Sequence, residues 1–230
     1  MLKRQVGKTA AELLGVPPAP RNGRDRLVDA AIDLFYTHGF NAVGLDQILS
    51  VVGVTKTTFY KHFESKDDLM VEAVRKRDRW ETEAWGRAVR AAAGDDPRAQ
   101  LLAVFDVLHE WFNAPDFRGC MFINTAAEFP NPHDPVHQAA AAHKHDTRDG
   151  YRDLAAAAGA ADPEAFADLY TTLIEGTLIL RQVHGRDDAA QVSRPLAARL
   201  IEEHLPRAPG ESTVPARSRR AARTAAKSPR

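Results

Sequence analysis

Residues 45–63 read LDQILSVVGVTKTTFYKHF, and this stretch decides the fold of the chain. The spacing of its apolar residues predicts one helix over residues 45–52 and a second helix after Thr55. Gly53 is suited to end the first helix, and the Thr55 hydroxyl is suited to cap the second. Two short helices that meet at one glycine are typical of a helix-turn-helix unit.

The second helix of this stretch has one apolar and one polar face. Phe59 and Phe63 are four residues apart, so both can pack against the first helix and against Leu34. The polar face offers hydroxyls and cations, which donate to phosphates and base edges when a helix enters the major groove. A solvated face without function is the alternative, but the cap and the turn favour a recognition helix. The DNA-contacting candidates are Thr55, Lys56, Thr57, Thr58, Tyr60, Lys61 and His62.

Helices are predicted on both sides of this stretch. From Arg24 onward apolar residues recur at helical spacing until Gly39, which predicts one helix before this stretch. Ser65 is followed by a carboxylate three residues later, a capping pattern that begins a long helix ending near Ala93.

The rest of the chain is predicted to be helical, because no segment alternates as a strand does. Asp-Pro pairs at 96–97, 134–135 and 162–163 combine a capping side chain with a proline suited to a first helical turn. We expect helices near 97–113, 119–128, 135–158, 163–184 and 188–205. Pro195 implies that the last helix either bends there or starts late.

Charge is unevenly distributed, although the net charge is zero. Residues 1–93 carry fifteen Lys and Arg against twelve Asp and Glu, and residues 94–205 carry nine against eighteen. Residues 206–230 carry seven against one, so only the two ends suit a polyanion such as DNA.

The stretch from Arg24 to Leu69 resembles the DNA-binding domain of TetR-type transcriptional regulators. The resemblance is carried by Phe35, Gly39-Phe40, residues 53–63 and Ser65-Lys66-Asp67-Asp68-Leu69. It implies an all-helical homodimer with a three-helix DNA-binding domain and a helical domain whose small-molecule effector usually relieves repression. Val43-Gly44 departs from the family, which often has Thr or Ser as the cap there, but glycine is an acceptable cap.

The resemblance also implies roles for individual residues and segments. Thr57, Tyr60 and Lys61 would meet phosphates or bases, and Lys66 would meet the DNA backbone. Arg21 and Arg24 would add contacts from the arm. We expect a flexible N-terminal arm at 1–20, a helix-turn-helix domain at 21–66, a helical effector-binding and dimerisation domain at 67–205, and a disordered basic tail at 206–230.

The partners implied by the resemblance are double-stranded operator DNA, an unidentified effector and a second copy of the chain. Residues 173–180 are apolar on more than one face, which favours a dimer interface formed by the last two helices. Gly176 would let two helices approach closely there.

Residues 118–128 resemble a Gly-Cys-x-x-x-Asn signature of one branch of the family, whose members answer to metabolites or electrophiles. Cys120 and Asn124 would share a helix face and point into a pocket bordered by aromatics. Alternatively, Cys120 is a small core residue and Asn124 braces a neighbouring helix. Glu175 lies among apolar residues and needs a partner or a ligand with donors. The effector candidates are Trp111, Phe112, Cys120, Phe122, Asn124, Tyr170 and Glu175.

Other classes of function have little support in the sequence. The spacing of His133, His137, His143 and His145 argues against a metal site, and nothing indicates a cofactor. An enzyme with a DNA-docking module would depend on Cys120 alone, and a non-specific architectural DNA binder is suggested only by the basic tail. A single cysteine and the lack of a long apolar run or a signal peptide favour a cytoplasmic protein without a membrane segment.

Overall fold

A computed structural model describes residues 8–206 of the 230-residue chain. These residues form helices and turns, with no strand among them. The helices are α1 (Ala10–Leu14), α2 (Gly23–His38), α3 (Leu45–Val52), α4 (Lys56–Phe59), α5 (Lys66–Ala93), α6 (Pro97–Phe112), α7 (Met121–Glu128), α8 (Pro135–Ala157), α9 (Pro163–Gln182) and α10 (Ala189–His204).

Local capping chemistry explains where most of these helices begin. The side chains of Asp96, Asp134 and Asp162 each accept a hydrogen bond from a backbone N–H in the first turn of the helix that follows. The next residue is proline in all three cases, as the Asp-Pro pairs predicted. Ser65 and Asp68 form the predicted capping box of α5. The all-helical fold class is therefore confirmed.

Helices α2, α3 and α4, together with the start of α5, form a small N-terminal unit. Gly53 ends α3 with φ +74°, a left-handed conformation that glycine adopts without a steric penalty. Phe35 and Phe40 stack at 4.5 Å between ring centroids in the core of this unit, and Ile48 is fully buried. The unit is thus held together by the apolar residues that the periodicity identified.

The larger unit consists of α6 to α10 and most of α5. Helix α5 runs for 28 residues and packs against α2 at one end and against α6 and α8 further along, so one continuous helix joins the two units. Helix α10 packs on α6 and α9. It starts at Ala189 with Pro195 inside it, so the late start that Pro195 allowed does not occur.

The N-terminal segment differs from the expected flexible arm. Residues 10–14 form α1, capped by a Thr9–Glu12 capping box, and Leu14 is buried where α1 packs on α5 and α6. The backbone N–H of Ala10 donates to Asp116 at 2.9 Å. This stretch is therefore attached to the larger unit. Residues 1–7 and 207–230, which include nearly all of the predicted disordered tail, lie outside the described residues.

Candidate functional site

Helix α4 presents the polar face that the sequence predicted. Thr55 caps the helix by accepting from the Thr58 backbone N–H at 3.3 Å. Behind it Phe59 is fully buried and stacks on Phe63 at 5.5 Å, which holds the helix against α3. The side chains that remain exposed on the other side are Thr55, Lys56, Thr57, Tyr60, Lys61 and His62, whereas Thr58 is half-buried.

Of the two lysines on this face, one has an ion pair within the described part of the chain and the other has none. Lys56 pairs with Asp46 at 2.9 Å, and this hydrogen bond raises the pKa of the lysine. The Lys61 side chain has no ion pair or hydrogen bond with any residue in 8–206, and Tyr60 beside it is 58% exposed. Lys61 is therefore the cation of this face that is available to an anionic partner without breaking an internal pair.

Two residues that were predicted to contact DNA, Lys66 and Arg24, make contacts within the N-terminal unit. The Lys66 ammonium donates to the Phe40 carbonyl at 2.8 Å. Arg24 lies over the Phe63 ring at 4.9 Å and pairs with Glu72 at 3.4 Å. These interactions brace the N-terminal unit, and contact of Lys66 and Arg24 with DNA stays a prediction. The Arg21 side chain is exposed.

The larger unit encloses a cavity of about 320 Å³ between α5, α6, α8 and α9. Its walls are mostly apolar and include Trp85, Val89, Val104, Leu108, Trp111, Tyr151, Leu154, Ile174 and Leu178. A cavity of this size and composition is typical of a small-molecule site. It lies in the part of the chain where the sequence predicted the effector.

One end of the cavity carries a polar cluster of Cys120, Lys144 and Glu175. The Lys144 ammonium donates to the Glu175 carboxylate at 2.9 Å and also lies next to the Cys120 thiol. Burial raises the pKa of Cys120, and the positive charge of Lys144 opposes that increase without cancelling it. The position of Lys144 beside the cavity could not be predicted from the sequence, because no local pattern relates a residue on α8 to a thiol at the start of α7.

The other buried charges beside the cavity are also paired. Glu81 accepts from the Arg77 guanidinium at 2.6 Å, and His143 bonds Asp78 at 2.7 Å. The hydrogen bond from His143 lowers the pKa of Asp78. His143 also stacks on Phe122 with ring centroids 3.5 Å apart, so this histidine is a satisfied core residue. Among residues 8–206, no three His, Cys, Asp or Glu side chains converge as a metal site would require.

Four of the seven predicted effector residues line one of two cavities, and three line neither. Trp111, Cys120 and Glu175 line the cavity. Phe122 and Glu175 line a second, more open cavity of about 580 Å³ between α7, α8 and α9. The remaining three candidates, Phe112, Asn124 and Tyr170, line neither cavity. Tyr170 is a core residue instead, fully buried, with its hydroxyl donating to the Leu101 carbonyl.

The Gly-Cys-x-x-x-Asn signature is organised around Gln182 at the end of α9. The Gln182 amide accepts from the Cys120 backbone N–H at 3.2 Å and donates to the Asn124 side chain at 2.6 Å. Gly119 has φ +92°, and a Cβ there would lie 2.6 Å from Gln182. Asn124 therefore braces a neighbouring helix, which was the alternative interpretation. Cys120 faces the cavity because it precedes the first turn of α7 with extended backbone.

Helix α7 connects the cavity to the N-terminal unit at both of its ends. Next to Cys120, the Tyr36 hydroxyl of α2 donates to the Gly119 carbonyl at 3.0 Å. At the other end, the Glu128 carboxylate accepts from the backbone N–H groups of Phe40 and Asn41 at 2.9 and 2.8 Å. These hydrogen bonds join both ends of α7 to the N-terminal unit.

No helix within residues 8–206 combines the length and the apolar character needed to cross a bilayer.

The two units defined above match known families separately. Residues 27–73 match the family described as bacterial regulatory proteins, tetR family. Residues 97–196 match the tetracyclin repressor-like C-terminal domain.

Similar proteins extend these matches over most of the chain. A TetR-family transcriptional regulator from Streptomyces coelicolor is 30% identical with a TM-score of 0.69, and the match covers 79% of this chain and 95% of that one. A TetR-type regulator from Streptomyces avermitilis is 26% identical with a TM-score of 0.68, over 80% and 98% of the two chains. The HTH-type transcriptional regulator YjdC of Escherichia coli is 23% identical over 182 residues, which is 79% of this chain and 93% of YjdC.

Proposed function

The chain belongs to the TetR family of bacterial regulatory proteins, and we propose that it is a homodimeric repressor released from a palindromic operator by a small molecule in the cavity. Proteins of this family are DNA-binding, ligand-responsive transcriptional regulators rather than enzymes. An enzyme with a DNA-docking module or an architectural DNA binder is therefore not favoured. The observation that carries the proposal is the exposed, rigidly supported face of α4.

On the DNA side, we assign Lys61, Tyr60 and Thr57 to the recognition surface. All three side chains are exposed, and the buried pair of Phe59 and Phe63 fixes the helix behind them. Hydroxyls and a free ammonium at this position suit phosphates and base edges in the major groove. Arg21, also exposed, would add a phosphate contact from the start of α2.

The second copy would pack on α9 and α10. Apolar side chains point outward from one surface of these two helices, including Val183 at 69% and Leu196 at 52% exposure. The others are Leu169, Ile179 and Val192. Gly176 on α9 is exposed with open space around it, so a helix of the partner can approach closely. A symmetric dimer would present two α4 helices to successive major grooves, which requires a roughly palindromic operator.

Ligand would act by changing the separation of the two recognition helices. Helix α5 carries the cavity residues Glu81 and Trp85 and begins in the N-terminal unit, and α7 is bonded to that unit through Tyr36 and Glu128. A ligand that binds one arrangement of α5 and α7 more tightly shifts the population toward it. The ligand can change the affinity for DNA by no more than the ratio of its own affinities for the two arrangements.

The proposal is tested by footprinting the purified full chain on the DNA upstream of its own coding region. We expect a protected segment with two-fold symmetry that persists in excess random DNA. Lys61→Ala should weaken binding, whereas Arg87→Ala, which removes an exposed cation of the larger unit, should not. Failure of the wild-type dimer to bind any promoter fragment at low salt would contradict the proposal, and loss of the footprint in random DNA would indicate architectural binding.

A further inference from the structure

We propose that the cavity takes an uncharged, mainly apolar aromatic molecule whose carbonyl-type oxygen accepts a hydrogen bond from Tyr151. This inference rests on the proposed function, because it specifies the effector of the same site. It follows from the size of the cavity, from the pairing of its charges and from the hydrogen-bond donors that have no partner.

The walls of the cavity favour a flat apolar ligand. A volume of about 320 Å³ lies within the range of small-molecule pockets and has room for one small ring system. Trp85 and Trp111 meet edge to face at 5.7 Å on one side, and Leu154 and Ile174 are among the other walls. Aromatic side chains arranged in this way offer both stacked and edge contacts to a ring.

The charges beside the cavity argue against an ionic ligand. The partly buried Lys144 is paired with Glu175, and the buried Glu81 with Arg77, so each of these charges already has its counter-ion. A carboxylate placed near Lys144 would also lie near Glu175, and burying an additional unpaired charge is costly. Arg90 and Asp146, which are exposed members of the lining, have opposite charges and therefore add no net charge to it.

Two hydrogen-bond donors of the lining have no partner among the described residues. Tyr151 lines the cavity, and its hydroxyl makes no hydrogen bond with any residue in 8–206. Burial raises the pKa of Tyr151, so the hydroxyl stays protonated and can donate at neutral pH. Trp111 is only 3% exposed, and its indole N–H also has no acceptor within the described residues. A buried donor without a partner, such as the Trp111 N–H, is rare in folded proteins, and together with the half-buried Tyr151 hydroxyl it favours a ligand that supplies an acceptor.

Three naphthalenes of equal size test the ligand class. 2-Acetylnaphthalene carries the neutral acceptor, 2-isopropylnaphthalene lacks it, and 2-naphthoate carries a charge. We expect calorimetric titration of the full chain to give a Kd for the ketone about tenfold lower than for the hydrocarbon, the effect of one hydrogen bond. The carboxylate should bind most weakly. Tighter binding of 2-naphthoate than of the ketone, or no binding of any of the three compounds, would overturn the inference.

A matched pair of variants tests the donor. Tyr151→Phe removes only the hydroxyl and should reduce the advantage of the ketone over the hydrocarbon to about twofold or less. Thr37→Val removes an exposed hydroxyl from α2, outside the cavity lining, and should leave that advantage unchanged. If the full advantage persists in Tyr151→Phe, the assignment of the acceptor to Tyr151 is wrong. DNA binding by the ligand-free protein is measured in parallel. If the ligand-free protein does not bind DNA, that result contradicts the proposed function but not the ligand class.

Discussion

The Glu128 carboxylate on α7 offers the sharpest test of how the two units are connected. It accepts from two consecutive backbone N–H groups, those of Phe40 and Asn41, in the loop that leads into α3. Glu128→Gln keeps the size of the side chain but replaces one acceptor oxygen with an NH₂ group that faces a backbone N–H. One charge-assisted hydrogen bond is lost, at a cost of about 1.5–3 kcal/mol.

This cost predicts faster amide exchange in the loop. Because about 1.4 kcal/mol corresponds to a factor of ten, the amides of Phe40 and Asn41 should exchange about 10 to 100 times faster in Glu128→Gln. Hydrogen exchange with mass spectrometry on a peptide covering residues 36–44 measures this directly. Peptides from α9 should exchange as in the wild type, because that helix does not contact Glu128.

The control is Glu83→Gln, which removes a carboxylate from the exposed surface of α5, where it lies 3.8 Å from Arg87. Exchange in residues 36–44 should not change in that variant. If Glu128→Gln also leaves the exchange of that peptide unchanged, Glu128 does not hold the loop. The proposed connection from the cavity through α7 to the recognition helix would then lack its contact at Glu128.

Four further predictions follow from single side chains. Lys61→Ala should reduce the slope of log Kd for operator DNA against log salt by about one, and an unchanged slope would exclude a phosphate contact. Leu196→Arg should convert the dimer to a folded monomer in light scattering, because a charge replaces an exposed apolar contact on α10; a persistent dimer would exclude this interface. Gly119→Ala should lower the free energy of unfolding by about 1–3 kcal/mol in urea titrations, because of its positive φ and the 2.6 Å approach of Gln182; a stability loss below about 0.5 kcal/mol would contradict this. Cys120, the sole cysteine, should react with Ellman's reagent far more slowly in the native than in the unfolded protein, because burial raises its pKa; equal rates would identify a reactive thiol.

Most helix positions could be predicted from the sequence, because their determinants are local. The Asp-Pro pairs, the Ser65 cap and the glycine stops act within one helical turn of the residues they control. A short helix at residues 9–14 was possible from the sequence, but the segment was assigned to the N-terminal arm, although Thr9 and Glu12 carry the capping-box pattern. Its stability depends on the burial of Leu14 against α5 and α6, which are distant in sequence.

The cavity residues were predicted less completely than the DNA-binding face. A recognition helix is one short segment, and its exposed side chains follow from helical period once the buried face is known. The cavity combines residues from α5, α6, α8 and α9, and aromatic residues in such a domain serve its core as readily as a ligand. Phe112 and Tyr170 belong to the core for this reason, whereas Tyr151 and Lys144 line the cavity.

By itself, the sequence determined the all-helical class, the helix-turn-helix and its polar face, because helical period, caps and glycine turns depend on neighbouring residues. Only the tertiary structure decided which side chains meet across helices: Lys144 with Cys120, Gln182 with Asn124, and Glu128 with the loop at Phe40. These contacts join residues 24 to 88 positions apart, and the packing of whole helices brings them together.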